Sequence, residues 1–259
     1  MGEKYIDLQA TAAQLELRNS PPSRPLVMYQ RWEELLFLHW EVDPQLIAKD
    51  LPSGLKVDTF DGRAYLGIVP FFMKGIRPRF LPAVPGISYF LELNLRTYVL
   101  GPDGTPGVWF YSLDANSWLG VEVAKTFISL PYVHAHQKSS FFQSEDWIDF
   151  HSTRKQQDQA IPLRYTYRAW DEIGPAEPGT LEFFLVERYI LFSYRKGSQS
   201  LYKGRVNHVP YQLYQTQVEN YSPELFELNG FSLPLRKPDH MVMSHGVKVK
   251  VHAIERVKA

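Results

Sequence analysis

The stretch Tyr89–Leu100 reads "YFLELNLRTYVL". Successive residues of a strand face opposite sides, so Phe90, Glu92, Asn94, Arg96 and Tyr98 share one face, and Leu91, Leu93, Leu95, Thr97 and Val99 share the other. The second face is ordinary core. The first sets three polar side chains between two aromatic ones in mid-strand, and such a face looks either at water or into a polar cavity. In a sheet rolled into a barrel it lines the interior. There Arg96 would fork onto a carboxylate ligand with Asn94 beside it, and Glu92 would serve as an acid or base.

The segments on either side carry the punctuation of an antiparallel β protein. Upstream, "LKVDTF" and "RAYLGIVPFFM" flank Asp61-Gly62, a strong hairpin signal. "RPRFLPAVPG" is too rich in proline for regular structure and long enough to border a pocket. "LLFLHWEV", Leu35 to Val42, reads as a strand, after which Asp43 caps a short helix with Pro44 in its first turn. Downstream, "VWFYSLDA" returns as a strand. In "SWLGVEVAKTFISL" the apolar residues Leu119, Val123, Phe127 and Leu130 fit one helical face, and Pro131 ends the helix. "LRYTYRAW", "LEFFLVERYILFSYR" and "GVKVKVHAI" read as further strands, with no fixed repeat. Residues 1–25 end in "NSPPSRP" and are expected to be an arm or linker, leaving residues 26–259 as a single domain.

Composition narrows the function. The 28 basic and 28 acidic residues among 259 cancel, so no global field draws the chain to nucleic acid or an anionic membrane. The absence of cysteine excludes disulfides, thiolate metal sites and cysteine nucleophiles. No secretory signal and no membrane span are expected, which makes a cytoplasmic protein the default. There is no phosphate loop, dinucleotide fingerprint, HExxH or GxSxG. His134-x-His136 is the nearest approach to a metal motif, but a third ligand, His151 or His208, would have to come from tertiary contact. No metal and no cofactor are expected. In "VERYILFSYR", Glu187 and Arg188 fall inside an apolar strand, and adjacent strand residues face opposite sides, so only one of them points inward. Either that one serves a ligand or the two form a cross-strand ion pair.

At "FLHW", "VDTFDGRAYLGIVPFFMKGIRP", "FLELNLRTYV", "GVWFYSLDA", "SLPYVHA" and "VERYILFS" the chain resembles the YqjF-like family of uncharacterised bacterial proteins, grouped with the acetoacetate-decarboxylase-like fold. The resemblance implies one α+β domain, mainly antiparallel, with a strongly curved sheet or barrel around a central cavity and few helices. Decarboxylases of that fold form a Schiff base through the first lysine of a Pro-Lys-Lys motif. The matching motif here is Pro131-Tyr132-Val133, so Tyr132 stands in place of the lysine. Lys125 stands where the decarboxylase helix has an arginine, and keeps the charge without the fork. Glu92 matches the pocket glutamate, and His134, two residues beyond Tyr132, would share its face. Glu187 would be a further ligand contact. These residues make a pocket for a small organic acid or carbonyl ligand, with acid–base chemistry through Tyr132, Glu92 and His134 if the protein is an enzyme at all. The alternative is a non-catalytic binding or interaction protein. The resemblance also leaves room for a homo-oligomer.

Overall fold

The computed structural model describes residues 8–117, 129–142, 146–155 and 160–257. Among these residues thirteen strands join in one sheet. They are β1 (Leu26–Val42), β2 (Lys56–Val57), β3 (Ala64–Pro78), β4 (Phe90–Leu100), β5 (Pro106–Ala115), β6 (Tyr132–Phe142) and β7 (Trp147–Arg154), followed by β8 (Leu163–Gly174), β9 (Ile190–Arg195), β10 (Ser200–Asn207), β11 (Leu213–Asn220), β12 (His240–His252) and β13 (Glu255–Arg256). Pairing runs β5-β6-β7-β8-β11-β12-β1-β3-β4, and β4 pairs back onto β5, so the sheet closes into a ring. Most pairs are antiparallel; β5 runs parallel to β6 and to β9.

Alternation sorts the central strands between two cores. Leu36, Leu38 and Trp40 of β1, Ala64, Leu66 and Ile68 of β3, and Leu91, Leu93 and Leu95 of β4 pack together on one face, against Phe150, Tyr165 and Tyr167. Leu35 and Phe37 of β1, Tyr65, Val69, Phe71 and Met73 of β3, and Tyr98 of β4 belong to the other face. With both faces covered, β1 and β3 lose the apolar-in, polar-out pattern of a half-exposed strand and read as nearly continuous apolar runs. Strand β1 bends at Glu34, whose φ of 53° interrupts the β1–β3 register between Glu33 and Leu38. Gly246 of β12 sits opposite with φ 129°, and a Cβ there would lie 2.1 Å from the Trp32 carbonyl oxygen. The bend therefore requires glycine.

Three α-helices accompany the sheet among the described residues: α1 (Leu8–Asn19), α2 (Pro44–Ala48) and α3 (Leu181–Val186). In α2 the expected cap is present, with Gln45 N donating to Asp43 Oδ1 at 2.8 Å. Helix α1 lies against the body. Its buried Gln14 donates from Nε2 to the carbonyls of Glu187 (2.9 Å) and Phe183 (3.2 Å), and Arg205 holds the carbonyls of Leu17 and Ser20.

Two expectations need correction. The turn at Asp61-Gly62 forms, with both residues at positive φ and a single bridge between Phe60 and Arg63, but the strand before it does not pair with β3. It pairs as β2 with Val99 and Leu100, continuing the edge of β4 where β3 ends. The run "LEFFLVERYILFSYR" is not one strand. Thr180 accepts from Phe183 N at 3.2 Å and starts α3, and the strand begins only at Ile190. A cap and burial on all sides outweigh the strand propensity of Phe183, Phe184 and Val186.

Candidate functional site

The mixed face of β4 is not solvent. Glu92 and Asn94 are 3% and 4% exposed, because this face forms a wall of a cavity of about 540 Å3. Strands β1, β3, β4, β5, β6, β9, β10 and β12, the end of α3 and the proline-rich loop after β3 contribute to its wall. The lining is mainly apolar, with Val69, Phe71 and Met73 from β3 and Val108, Phe110 and Leu113 from β5. Its charged side chains are few, Glu92, Arg96 and Arg188, and a small number of placed polar groups is how an apolar site fixes the orientation of a ligand.

Glu92 and Tyr132 meet in it. Tyr132 OH donates to Glu92 Oε2 at 2.9 Å. Burial pushes the Glu92 carboxyl up to about 7, although hydrogen bonds from Tyr132 and Asn94 act the other way. Burial, together with the charge of Glu92 and the bond to it, holds the Tyr132 phenol well above its ordinary range. The pair is thus a neutral phenol facing a carboxyl group poised near neutrality. Among the described residues, no lysine lines the cavity.

Two guanidinium groups border the same space. Arg96 donates from Nη2 to Tyr98 OH (3.3 Å) and to the Leu185 carbonyl (3.2 Å), and lies over the Phe37 ring at 5.3 Å. Arg188 donates from Nε to the Phe184 carbonyl and from Nη1 to Asp58 Oδ2, both at 2.6 Å. Asn94 Oδ1, Arg96 Nε and Arg188 Nη2 are buried with no partner among the described residues. Unsatisfied groups of this kind carry a desolvation cost that a polar ligand removes.

A buried chain backs Arg96. Tyr98 OH lies 2.6 Å from His39 Nε2, and His39 Nδ1 lies 3.0 Å from His240 Nδ1. The Tyr98 oxygen accepts from Arg96, and we assign its own proton to the bond with His39 Nε2. That leaves the His39 proton on Nδ1, facing His240, and the His240 proton on Nε2, 3.9 Å from Glu182 Oε1. Burial lowers both imidazoles, His39 well below its ordinary range and His240 to about 4, so the chain is neutral. Gly67 makes room for it: a Cβ there would lie 2.8 Å from the His39 ring.

The sequence-derived residues divide accordingly. Tyr132, Glu92, Asn94 and Arg96 line one cavity. His134 and Glu187 are not among the lining residues. The Glu187 carboxylate accepts from Tyr189 OH and from Tyr211 N, the latter at 3.1 Å, and Arg188 is the member of the pair that reaches the cavity. His136 borders a separate surface depression with Lys138 and His151. Among the described residues no group of three or more histidine, cysteine or acidic side chains is placed to hold a metal. Lys125 lies outside the described residues. The Tyr98–His39–His240 chain has no sequence signal beyond the "FLHW" motif, since its two histidines stand 201 positions apart.

The sequence profile of the DUF2071 family, described as an uncharacterized conserved protein, matches residues 29–248. The chain belongs to this family. Its relatives include the uncharacterized protein YqjF of Bacillus subtilis (strain 168), 38% identical over 220 residues, which cover 85% of this chain and 88% of that protein. The fold of this chain is similar to that of the acetoacetate decarboxylases. The decarboxylase from Legionella pneumophila superposes with a TM-score of 0.61 at 13% identity, covering 94% of this chain and 95% of that one. The enduracididine biosynthesis enzyme MppR, complexed with pyruvate, superposes with a TM-score of 0.61 at 11% identity, covering 93% of each chain. At these identities the likeness establishes the fold alone. No helix among the described residues is long and apolar enough to cross a membrane.

Proposed function

We propose that this DUF2071 chain binds an organic acid or carbonyl compound in the cavity and moves protons on it through Glu92 and Tyr132, with Arg96 and Asn94 as the anchor. The observation that carries the reading is the Tyr132–Glu92 hydrogen bond inside an apolar wall, with the carboxyl at about 7. A general base works best with a pKa near the operating pH. The ionised carboxylate takes a proton from the carbon next to a carbonyl, and the electron pair passes to the carbonyl oxygen, where the Tyr132 hydroxyl donates a hydrogen bond. Arg96 Nε, which has no partner among the described residues, then has an acceptor in the ligand's carboxylate. The pyruvate complex of the fold relative MppR supports a ligand of this class.

The reaction has no imine step. In this reading Tyr132 is the counterpart of the reactive lysine, and a phenol cannot condense with a ketone to form an imine. Oxo acids followed by borohydride are expected to leave the protein mass unchanged; an adduct on Lys125, Lys74 or any other lysine would overturn this point. The main test is a thermal-shift screen of wild type and Arg96→Ala against short carboxylic, oxo and hydroxy acids. At a hundred times the dissociation constant, binding adds about 2.7 kcal/mol, a rise of roughly 5–10 °C at this length. The rise is expected with wild type and is lost in the variant. α-Proton exchange of the bound acid in deuterated water, reduced in Tyr132→Phe, identifies the catalyst. Binding without exchange would make the protein a carrier or sensor instead.

A further inference from the structure

We infer that the ligand is an amphiphile, a carboxylic acid with an extended apolar body rather than a two- or three-carbon acid. This inference rests on the acid-binding reading above. The first ground is size. At roughly 30 Å3 per water-sized group, a cavity of about 540 Å3 has room for on the order of fifteen to twenty heavy atoms, several times what a three-carbon acid fills.

The second ground is where the polar groups stand. Glu92, Asn94 and Arg96 lie together on β4, opposite Phe71, Val69 and Gly67 of β3. Past Met73, which pairs with Phe90, the cavity wall continues along β3 through Ile76 to Pro78, and Pro78 pairs with Met28 of β1, another lining residue. Met73 to Pro78 is at most roughly 16 Å of strand, and all these lining side chains are apolar. The charged groups therefore occupy one end of the space; the other end is mainly apolar, and its two polar lining residues are engaged by the wall itself, Gln30 with Met28 and Trp32 and Ser88 with Val84.

The third ground is the mouth. The loop after β3 contributes Leu81, Pro82, Val84 and Ile87 to the lining, yet Leu81 is 58% exposed and its neighbour Phe80 is 86% exposed. Large apolar side chains left at a cavity rim suit a ligand whose apolar end reaches that rim. Ser88 holds the loop in place, its hydroxyl accepting from Val84 N at 2.8 Å and its carbonyl from Ile76 N at 3.1 Å.

The test is calorimetric titration of wild type with butanoate, hexanoate, octanoate and decanoate below their micelle-forming concentrations. Affinity is expected to rise about fourfold per methylene through at least octanoate. Arg96→Ala is expected to weaken every length by a similar factor, and Val84→Asp, at the exposed loop, to reduce the gain per methylene. Butanoate binding that is lost in Arg96→Ala but does not tighten with length would overturn the amphiphile inference and leave the acid-binding reading standing. Long-chain binding indifferent to Arg96→Ala would also overturn it, as non-specific adsorption. No binding at any length, together with none in the short-acid screen, would overturn both.

Discussion

Glu92 is the residue at which the site's chemistry and the protein's stability meet. Its folded pKa of about 7 stands above the ordinary 4.5. A raised folded value means a contribution to stability that is complete below about pH 4.5 and lost as pH rises through 7. Glu92→Gln carries no such loss. Urea titrations at a series of pH values are expected to show the variant gaining on wild type across this window, by on the order of 3 kcal/mol at its upper end; parallel curves would show that the carboxyl ionises freely in the fold. Gly67 bears on the site from behind. Gly67→Ala would place a methyl 2.8 Å from a His39 ring already held by Tyr98 and His240. The expected cost is about 1–3 kcal/mol in the urea midpoint, together with weaker acid binding as Tyr98 shifts under Arg96. At this scale the sequence was legible wherever one strand set the geometry: the period of two placed Glu92, Asn94 and Arg96 on a shared face. It was not legible at Glu187 and Arg188, because the chain there leaves a helix and has no period to follow.

Among the elements, α3 and the bend of β1 were the hardest to read. The apolar run around α3 is equally compatible with a buried strand and a buried helix, and only the Thr180 cap decides it. The DG turn was legible as a turn, but the partner of the strand before it was not. Pairing depends on which edge is open, and β4 offers β2 its free end. The bend of β1 depends on a residue in another strand. Gly246→Ala would drive a methyl into the Trp32 carbonyl at a φ that alanine rarely adopts. Refolding yield and thermal melting are expected to report a loss of more than about 3 kcal/mol, among the larger single-residue effects. Alanine at Gly230, where a Cβ meets nothing within 4 Å although φ is 82°, is expected to cost only the backbone strain, about 1 kcal/mol.

For the whole molecule, closure of the sheet was beyond the sequence. The ring depends on β12 meeting β1, segments far apart in the chain, and on β6 joining β5 in parallel, pairings that no local pattern announces. The resemblance to the decarboxylase-like fold supplied what local patterns lack. Closure also buries titratable groups: His39, His208 and His240 are all held low by burial, the last two at about 4. A lowered imidazole contributes stability that is complete above about pH 6.5 and is lost as pH falls toward 4, because the unfolded chain takes up protons that the folded one refuses. Each such group adds up to about 1.4 kcal/mol per pH unit to the slope. Thermal melting is therefore expected to fall steeply between pH 6 and 4, and His240→Asn to make that fall shallower. An unchanged slope in the variant would mean that His240 is protonated in the folded protein.

The strict alternation along β4 has an evolutionary corollary. Substitution at even-numbered positions alters what the cavity accepts, and substitution at odd-numbered positions alters how firmly the ring is held, so the two properties can drift almost independently. Deleting a single residue between Glu92 and Arg96 would exchange the two sets, turning leucines toward the ligand and charges into the core. Within this strand, relatives are free to diversify in ligand by replacement, but hardly by insertion or deletion.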